Sequence, residues 1–383
     1  MTSLERVQMT LRFEEPDRVP YFEQGFASNV ASDILGREMH TGGGGFRRNG
    51  VEAAMAGADA HEAYQERYFA DFCALVDALD FDVVSLPWAG GGSPTKKLDE
   101  FTYLFGDPDA AWAAMRFDPV SDTFHTVDAS IRHARGLQEV EETVAAMAAR
   151  HAGRVPVTAD SYPLVRRAVE RYRGKRAVAA GPGLAIPMEP AWLEAMLVLP
   201  EQVAAYTAMQ ADLACEAIDV LAGLGVSIIW GGGDFCANLG PVYSPAQFRQ
   251  FMLEPLRRIT ARCHRYNLPY VFRTDGVTWP VARELFVESG VDGYGEIDKQ
   301  AGMDLAELRA RLPHLILWGN VDCGYTLSSG TAREVADETR RCIDAAAPGG
   351  GYLLGSSNVI HSGVRTDNVL TMIQVCRDSA GRG

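Results

Sequence analysis

Short apolar runs that end in a small or charged polar residue recur along this chain. In the C-terminal half they read VSIIWGGGD (226–234), PYVFRTDG (269–276), DGYGEID (292–298), LILWGNVD (315–322) and YLLGSSN (352–358). RVPYFEQ (18–24), DVVSLPW (82–88) and RAVAAGPG (176–183) precede them, giving eight runs in all. Helical periodicity fills the gaps between the last five. Strands alternating with helices imply parallel pairing and right-handed crossovers. The pattern predicts an α/β fold: a (β/α)8 TIM barrel, residues 1–383 forming one domain, with an N-terminal extension and an insertion after the second strand. In such a barrel chemistry sits at the C-terminal strand ends. Here those ends carry Asp234, Arg273, Asp275, Glu296, Asp298, Asn320, Asp322 and Asn358.

Local signals agree with this period. Ser244-Pro245-Ala246-Gln247 reads as a capping box with proline at the first helical position. Asp304…Glu307 and Thr331…Glu334 repeat the device just beyond other strand ends. Residues 50–79 read as a helix, with apolar or aromatic residues at 64, 68, 69, 72, 75, 76 and 79. TGGGGFRR (41–48) and AGGGSPTKK (89–97) read as flexible loops, the first as a mobile lid. Residues 98–175 fit the barrel least, although VEETVAAMAARHAG and PLVRRAVERYRG are helical. A long excursion of this kind suits an insertion or lid over the mouth.

Composition narrows the class. The net charge of −14 argues against nucleic-acid binding. No apolar stretch reaches the roughly 20 residues of a membrane span. The N-terminal residues lack an apolar signal core. Seven scattered cysteines without a C-x-x-C pair argue against disulfides and a cysteine metal cage. A cytoplasmic location is the default expectation, and the 98–175 excursion offers a surface for a homodimer.

FRTDG (272–276) is the sharpest motif. Arg273 and Asp275 alternate with Phe272 and Thr274, so a strand turns both to one side. They either pair or divide the work, Arg273 holding an anionic substrate and Asp275 handling a proton. WGGGDF (230–235) places Trp230 and Asp234 on the preceding run, its glycines allowing close approach by a ligand or a neighbouring strand. Asp234 beside Asp275 would raise one carboxyl's pKa and create an acid–base pair. Glu296 and Asp298 share a side, as do Asn320 and Asp322. Such a ring suits a divalent cation, a polyol, or an internal hydrogen-bond network, and the network is the expectation for Asp322. Of the eight histidines only His361 follows a strand end at the mouth.

The order of motifs resembles the uroporphyrinogen decarboxylase superfamily, which also contains methyltransferases that work with methyl-corrinoids. The resemblance runs from RVPYFEQ to the C-terminus. It is strongest in GGGDFCANLGPVYSPAQFRQFMLEPLRRI, PYVFRTDG, GMDL, WGNVD and GGGYLLGSSNVIHSGVRTDNVLTMI. It implies a barrel with its site at the C-terminal mouth. Decarboxylases carry an R-Q-A-G-R-Y-type segment after the first strand to grip carboxylates, whereas FEQGFASN has no arginine. The family aspartate of an F-S-D-I-type segment falls on Asp82. A late G-H-G-I-type segment falls on Ser357-Asn358-Val359-Ile360, with Asn358 in place of histidine. The thiol-directed methyltransferase branch binds zinc through H-x-C and a late cysteine. Those positions are Arg273, Asp275 and the neighbourhood of Ser357, and arginine stays protonated and cannot ligate zinc. Whether a divalent metal binds elsewhere among the carboxylates is left open.

The resemblance implies three readings. The favoured one is a corrinoid-linked demethylase that passes methyl from a small compound to a corrinoid protein (methylcobalamin as carrier). Asp275, Glu296 or Asp234 would do acid–base work, and Arg273, Asp82, Trp230, Asn320, Asn358, Ser357 and His361 would contact substrate. The second is a cofactor-independent decarboxylase of a polycarboxylate. The third is a non-catalytic barrel that binds a tetrapyrrole or corrinoid.

Overall fold

Seven of the eight apolar runs supply strands to one parallel sheet. Its order is Val83–Val84, Ala177–Ala180, Ile228–Gly232, Tyr270–Arg273, Gly293–Gly295, Ile316–Trp318 and Tyr352–Leu353, each beside its sequence neighbour. These strands are almost wholly buried. Near-continuous apolar runs are what a parallel sheet covered on both faces requires. The computed structural model describes residues 1–86, 92–133 and 135–380. The sheet curls as in TIM-like folds. The eighth run forms no ladder, but Tyr21 bridges Leu354 in parallel, and Asp82 N donates to Tyr21 O at 2.9 Å. The segment 18–24 therefore touches both edges of the sheet.

Helices Pro200–Leu224, Leu253–His264, Leu305–Arg311, Ala332–Ala346 and Thr366–Asp378 follow successive strands as an outer layer. The capping boxes at Ser244 and Thr331 form, and Asp304 caps with its side chain accepting from Glu307 N. After Tyr270–Arg273 the connection is shorter, a 3₁₀ turn at Trp279–Val281 and a π-helical turn at Glu284–Glu288. The helix expected over 50–79 is two helices, Gly44–Ala56 and Ala58–Leu79, broken at Gly57 with φ +120°. The apolar positions from Tyr64 to Leu79 are buried as their period requires.

Inside the curled sheet Phe22, Trp230 and Trp318 meet edge to face. Trp230 lies 4.9 Å from Phe22 and 5.3 Å from Trp318, centroid to centroid. Trp318 Nε1 donates to Phe22 O at 2.9 Å, which satisfies an indole that is fully buried. Below this plug, helix Ser3–Leu11 packs Val7 against the interior with Leu4 and Leu11.

The same N-terminal extension corrects one site expectation. Asp82 precedes its strand, so it lies at the end opposite the strand C-termini. It is fully buried between Arg6 Nη1 (2.6 Å) and Arg18 Nη1 (2.7 Å), and it also accepts from Tyr21 N (2.8 Å). Its carboxylate is used up in holding the floor and does not meet the cavity.

The excursion after Val83–Val84 holds a four-stranded antiparallel sheet, Lys96–Lys97, Thr102–Gly106, Trp112–Asp118 and Thr123–Ala129, followed by helices Gly136–Ala152 and Pro163–Tyr172. The glycine-rich segment 41–48, expected to be a loop, becomes helical in its second half. It opens helix Gly44–Ala56, and the Asp118–Thr123 turn clasps it: Gly44 N donates to Asp122 O (2.8 Å) and Gly45 N to Asp122 Oδ1 (2.7 Å). A Cβ on Gly43, where φ is +96°, would overlap the Asp122 carboxylate. Of the second glycine loop, residues 89–91 lie outside the described residues. Among the described residues no helix is long and apolar enough to cross a membrane, and all seven cysteines are free.

Candidate active site

A cavity of about 1200 Å³ opens at the strand C-termini. Trp230, Arg273, Glu296 and Gln24 form its inner wall. Gly42–Gly44, Arg47, the 121–125 turn and Tyr162 form its outer wall. Arg273 ends strand Tyr270–Arg273 next to Ile228–Gly232, the two paired in register Arg273↔Gly232. The three glycines of WGGGD serve that neighbour. A Cβ on Gly232 would overlap the Arg273 backbone, and one on Gly231 would overlap the Tyr270 hydroxyl. Gly231 O is thereby exposed to Arg273 Nε at 2.9 Å. Arg273 Nη1 donates to Gln24 Oε1 at 2.7 Å, and the guanidinium carbon lies 5.7 Å from the Trp230 ring centre.

Glu296 follows strand Gly293–Gly295 with φ +62°, a left-handed conformation that costs a non-glycine residue energy and is enriched at functional sites. Its Oε1 accepts from Gln24 Nε2 and lies 3.8 Å from Arg273 Nη1. Burial raises its pKa. Arg273 and the Gln24 hydrogen bond pull it down, and Asp234 and Asp275 push it up, for a net rise. Asp275 is likewise raised, first by burial and then by Asp234 and Asp298, while the Asn358 amide at 3.3 Å from its Oδ2 opposes the shift. Arg273 and Asp275 form no ion pair among the described residues. Asp234 is exposed and lines the cavity, so its charge reaches both other acids. A carboxyl whose pKa burial raises is a candidate general acid toward a substrate bound beside it.

The other expected site residues divide. Asn358 holds Asp275, and its carbonyl accepts from Gln24 Nε2 at 3.1 Å. His361 lines the cavity. Its Nδ1 accepts from Gly363 N (3.1 Å), so Nε2 carries the hydrogen and donates to Cys323 O (3.1 Å). Ser357 accepts from Cys323 N and touches its sulfur at 3.3 Å, a loop contact outside the cavity wall. Asn320 is buried away from the site, its amide donating to Met303 O at 3.2 Å. Asp298 and Asp322 fix backbone turns: Asp298 accepts from Gln300 N and Ala301 N, Asp322 from Gly324 N and Tyr325 N.

Two participants escaped the sequence reading. Gln24 contacts Trp230, Arg273, Glu296 and Asn358. Its neighbour Glu23 is fully buried against Ser356. Both end an apolar run, the same mark that singled out Asp234 and Glu296. Among the described residues no group of three or more His, Cys, Asp or Glu is arranged to hold a metal ion. Arg273, at the end of its strand, stays protonated and cannot itself ligate a metal.

The model of the family named uroporphyrinogen decarboxylase (URO-D) matches residues 130–379, and the chain belongs to this family. No curated protein sequence matches it. A methyltransferase from Methanosarcina mazei is similar in fold over 99% of both chains, with a TM-score of 0.65 and 13% identity. A chain named as a vitamin-B12-independent methionine synthase from Listeria monocytogenes matches 60% of this chain and 73% of its own length, with a TM-score of 0.39 and 14% identity.

Proposed function

We propose that this chain is a methyltransferase-type enzyme of its family, removing a methyl group from a small anionic compound and passing it to a corrinoid. In this reading the Tyr21 segment is the eighth stave of a (β/α)8 barrel, and the excursion over 98–175 is its lid. The observation that carries the proposal is the half-buried Glu296 carboxyl, 3.8 Å from Arg273 in the cavity wall, with a second half-buried carboxyl, Asp275, raising its pKa further. Arg273 orients the substrate's anionic group. One of the two carboxyls gives its proton to the departing oxygen or nitrogen as that atom's bond to methyl breaks, and water later restores the proton. The corrinoid supplies the nucleophile that receives the methyl group. The cavity is larger than the roughly 300–1,000 Å³ of ordinary small-molecule sites, and Phe46, Phe124 and Tyr162 offer a broad apolar wall to a second, flat reactant.

Decarboxylation of a porphyrin-like polycarboxylate fits less well. Such a substrate needs many cations, and among the described residues the cavity wall sets the arginines Arg47 and Arg273 against Asp122, Asp234 and Glu296. The test is anaerobic incubation of the purified protein with reduced cobalamin and a panel of anionic methyl compounds, methoxylated benzoates and N-methylated amino acids. Methylcobalamin and demethylated product should form in equal amounts. CO2 release from a polycarboxylate without cobalamin would replace this reading with decarboxylation.

A further inference from the structure

We propose that Gln24 is the positioning residue that makes Glu296 the proton donor: its amide ties Arg273 and Trp230 to one carboxyl oxygen and leaves the other to carry the proton into the cavity. Gln24 ends the segment 18–24 and is buried. Trp230 Nε1 lies 3.4 Å from its side-chain oxygen and Arg273 Nη1 2.7 Å. An indole N–H and a guanidinium can only donate, so the atom between them has to be Oε1. Nε2 must then face the opposite way, where its two hydrogens meet Glu296 Oε1 and Asn358 O (3.1 Å). Every hydrogen-bonding position of the amide is filled.

This saturation decides where a proton can sit on Glu296. Oε1 is faced by the Gln24 N–H and by Arg273 Nη1 at 3.8 Å, both donors. A carboxyl hydrogen on Oε1 would point at a donor, so it sits on Oε2. Oε2 has no hydrogen-bond partner among the described residues and is not among the sealed, partnerless buried atoms. Glu296 itself lines the cavity. The charged and titratable groups that face Glu296 are Arg273, Asp234, Asp275 and Tyr294. Among the described residues only Gln24 links the carboxyl directly to both Arg273 and Trp230. A leucine at position 24 would break the contacts to Trp230, Arg273 and Glu296, and a glutamate would set two carboxyls against each other over one proton.

The role of Glu296 as donor rests on the function proposed above, but the link through Gln24 does not, and it can be read without substrate. The indole N–H resonance of Trp230, identified by its loss in Trp230→Phe, should shift in the wild-type protein with a midpoint above the ordinary carboxylate range. Glu296→Gln should remove that step. Gln24→Glu should move its midpoint upward by about one pH unit, as paired carboxyls do, and Gln24→Leu should leave the indole insensitive to Glu296. A wild-type indole that does not titrate overturns the proposal whether or not the variants fold. So does a midpoint unmoved in folded Gln24→Glu, since a merely structural glutamine would lower stability and leave the midpoint alone. If the titrations behave as stated and no methyl transfer is found with any substrate, the proposed reaction fails and the link stands.

Discussion

Glu23 clasps Ser356 with both carboxyl oxygens: Oε1 accepts the backbone N–H at 2.9 Å and Oε2 the hydroxyl hydrogen at 2.6 Å. The pair stitches segment 18–24 to the chain just beyond strand Tyr352–Leu353. Burial pushes the Glu23 carboxyl up to about 8, against the two Ser356 hydrogen bonds. The folded protein then holds a proton that the unfolded chain releases near its ordinary value of 4.5. Stability from this group is complete below pH 4.5 and is lost as pH rises toward 8. The loss is on the order of a few kcal/mol. Melting temperatures between pH 5 and pH 9 should fall in the wild-type protein and flatten in Glu23→Gln. Equal slopes in the two proteins would dissociate Glu23 from the trend.

Asp82 predicts a purely structural phenotype. Asp82→Asn leaves the buried guanidiniums of Arg6 and Arg18 short of a counter-charge. Breaking a buried pair in this way costs about 3–5 kcal/mol. Urea unfolding should show that loss, while activity per folded molecule stays unchanged. A selective loss of activity at full stability would return Asp82 to the substrate site.

The acids at the mouth predict a falling pH limb. Asp275 and Glu296 both titrate above their ordinary values, and the Asp275 charge contributes to the rise at Glu296. Activity that needs a protonated carboxyl is full at low pH and declines as pH rises through those elevated values. Removing one charge with Asp275→Asn should draw the Glu296 limb downward. Glu296→Gln should cost roughly 10²–10⁴-fold in kcat/KM. A profile of kcat/KM against pH that is flat in the wild type excludes acid catalysis by this pair.

Asp122 predicts a local opening. Helix Gly44–Ala56 has no side-chain cap of its own, and Asp122 supplies one from the turn of the antiparallel sheet. Asp122→Ala removes about 1 kcal/mol of capping, enough for roughly fivefold faster amide exchange at Gly45. Hydrogen exchange read by mass spectrometry over 41–48 checks this, and unchanged protection would mean the backbone contact alone holds the turn.

The parts of this molecule that could be read from sequence are those whose cause is local. Ser244 and Gln247 cap each other across three residues, so the helix start shows in the chain itself. Trp230 to Asp234 and Tyr270 to Gly276 show as strand and strand end because burial on both faces leaves an unbroken apolar run. Asp122 and Gly45, in contrast, lie 77 positions apart, and nothing near either residue announces the other. The glycines were visible, but the anion they receive was not. The antiparallel sheet left a fainter mark: in TFHTVDA buried Phe124 and Ala129 alternate unevenly with exposed residues, and a register shift at Ala114–Met115 disturbs the neighbouring strand. Asp82 was legible in principle, since a residue before a strand belongs to the floor. Its likeness to a family motif outweighed that simpler rule. Gln24 obeyed the strand-end rule and was missed because it carries no charge.

The triad of Phe22, Trp230 and Trp318 makes the cavity a blind well. Among the described residues this cluster fills the interior of the curled sheet, so in the proposed reaction substrate, product and any second reactant would share the opening at the strand C-termini. Two reactants using one opening cannot exchange independently: whichever binds deeper must arrive first and leave last. If the proposed reaction holds, steady-state kinetics should follow a compulsory order, with the substrate at Arg273 beneath its co-reactant.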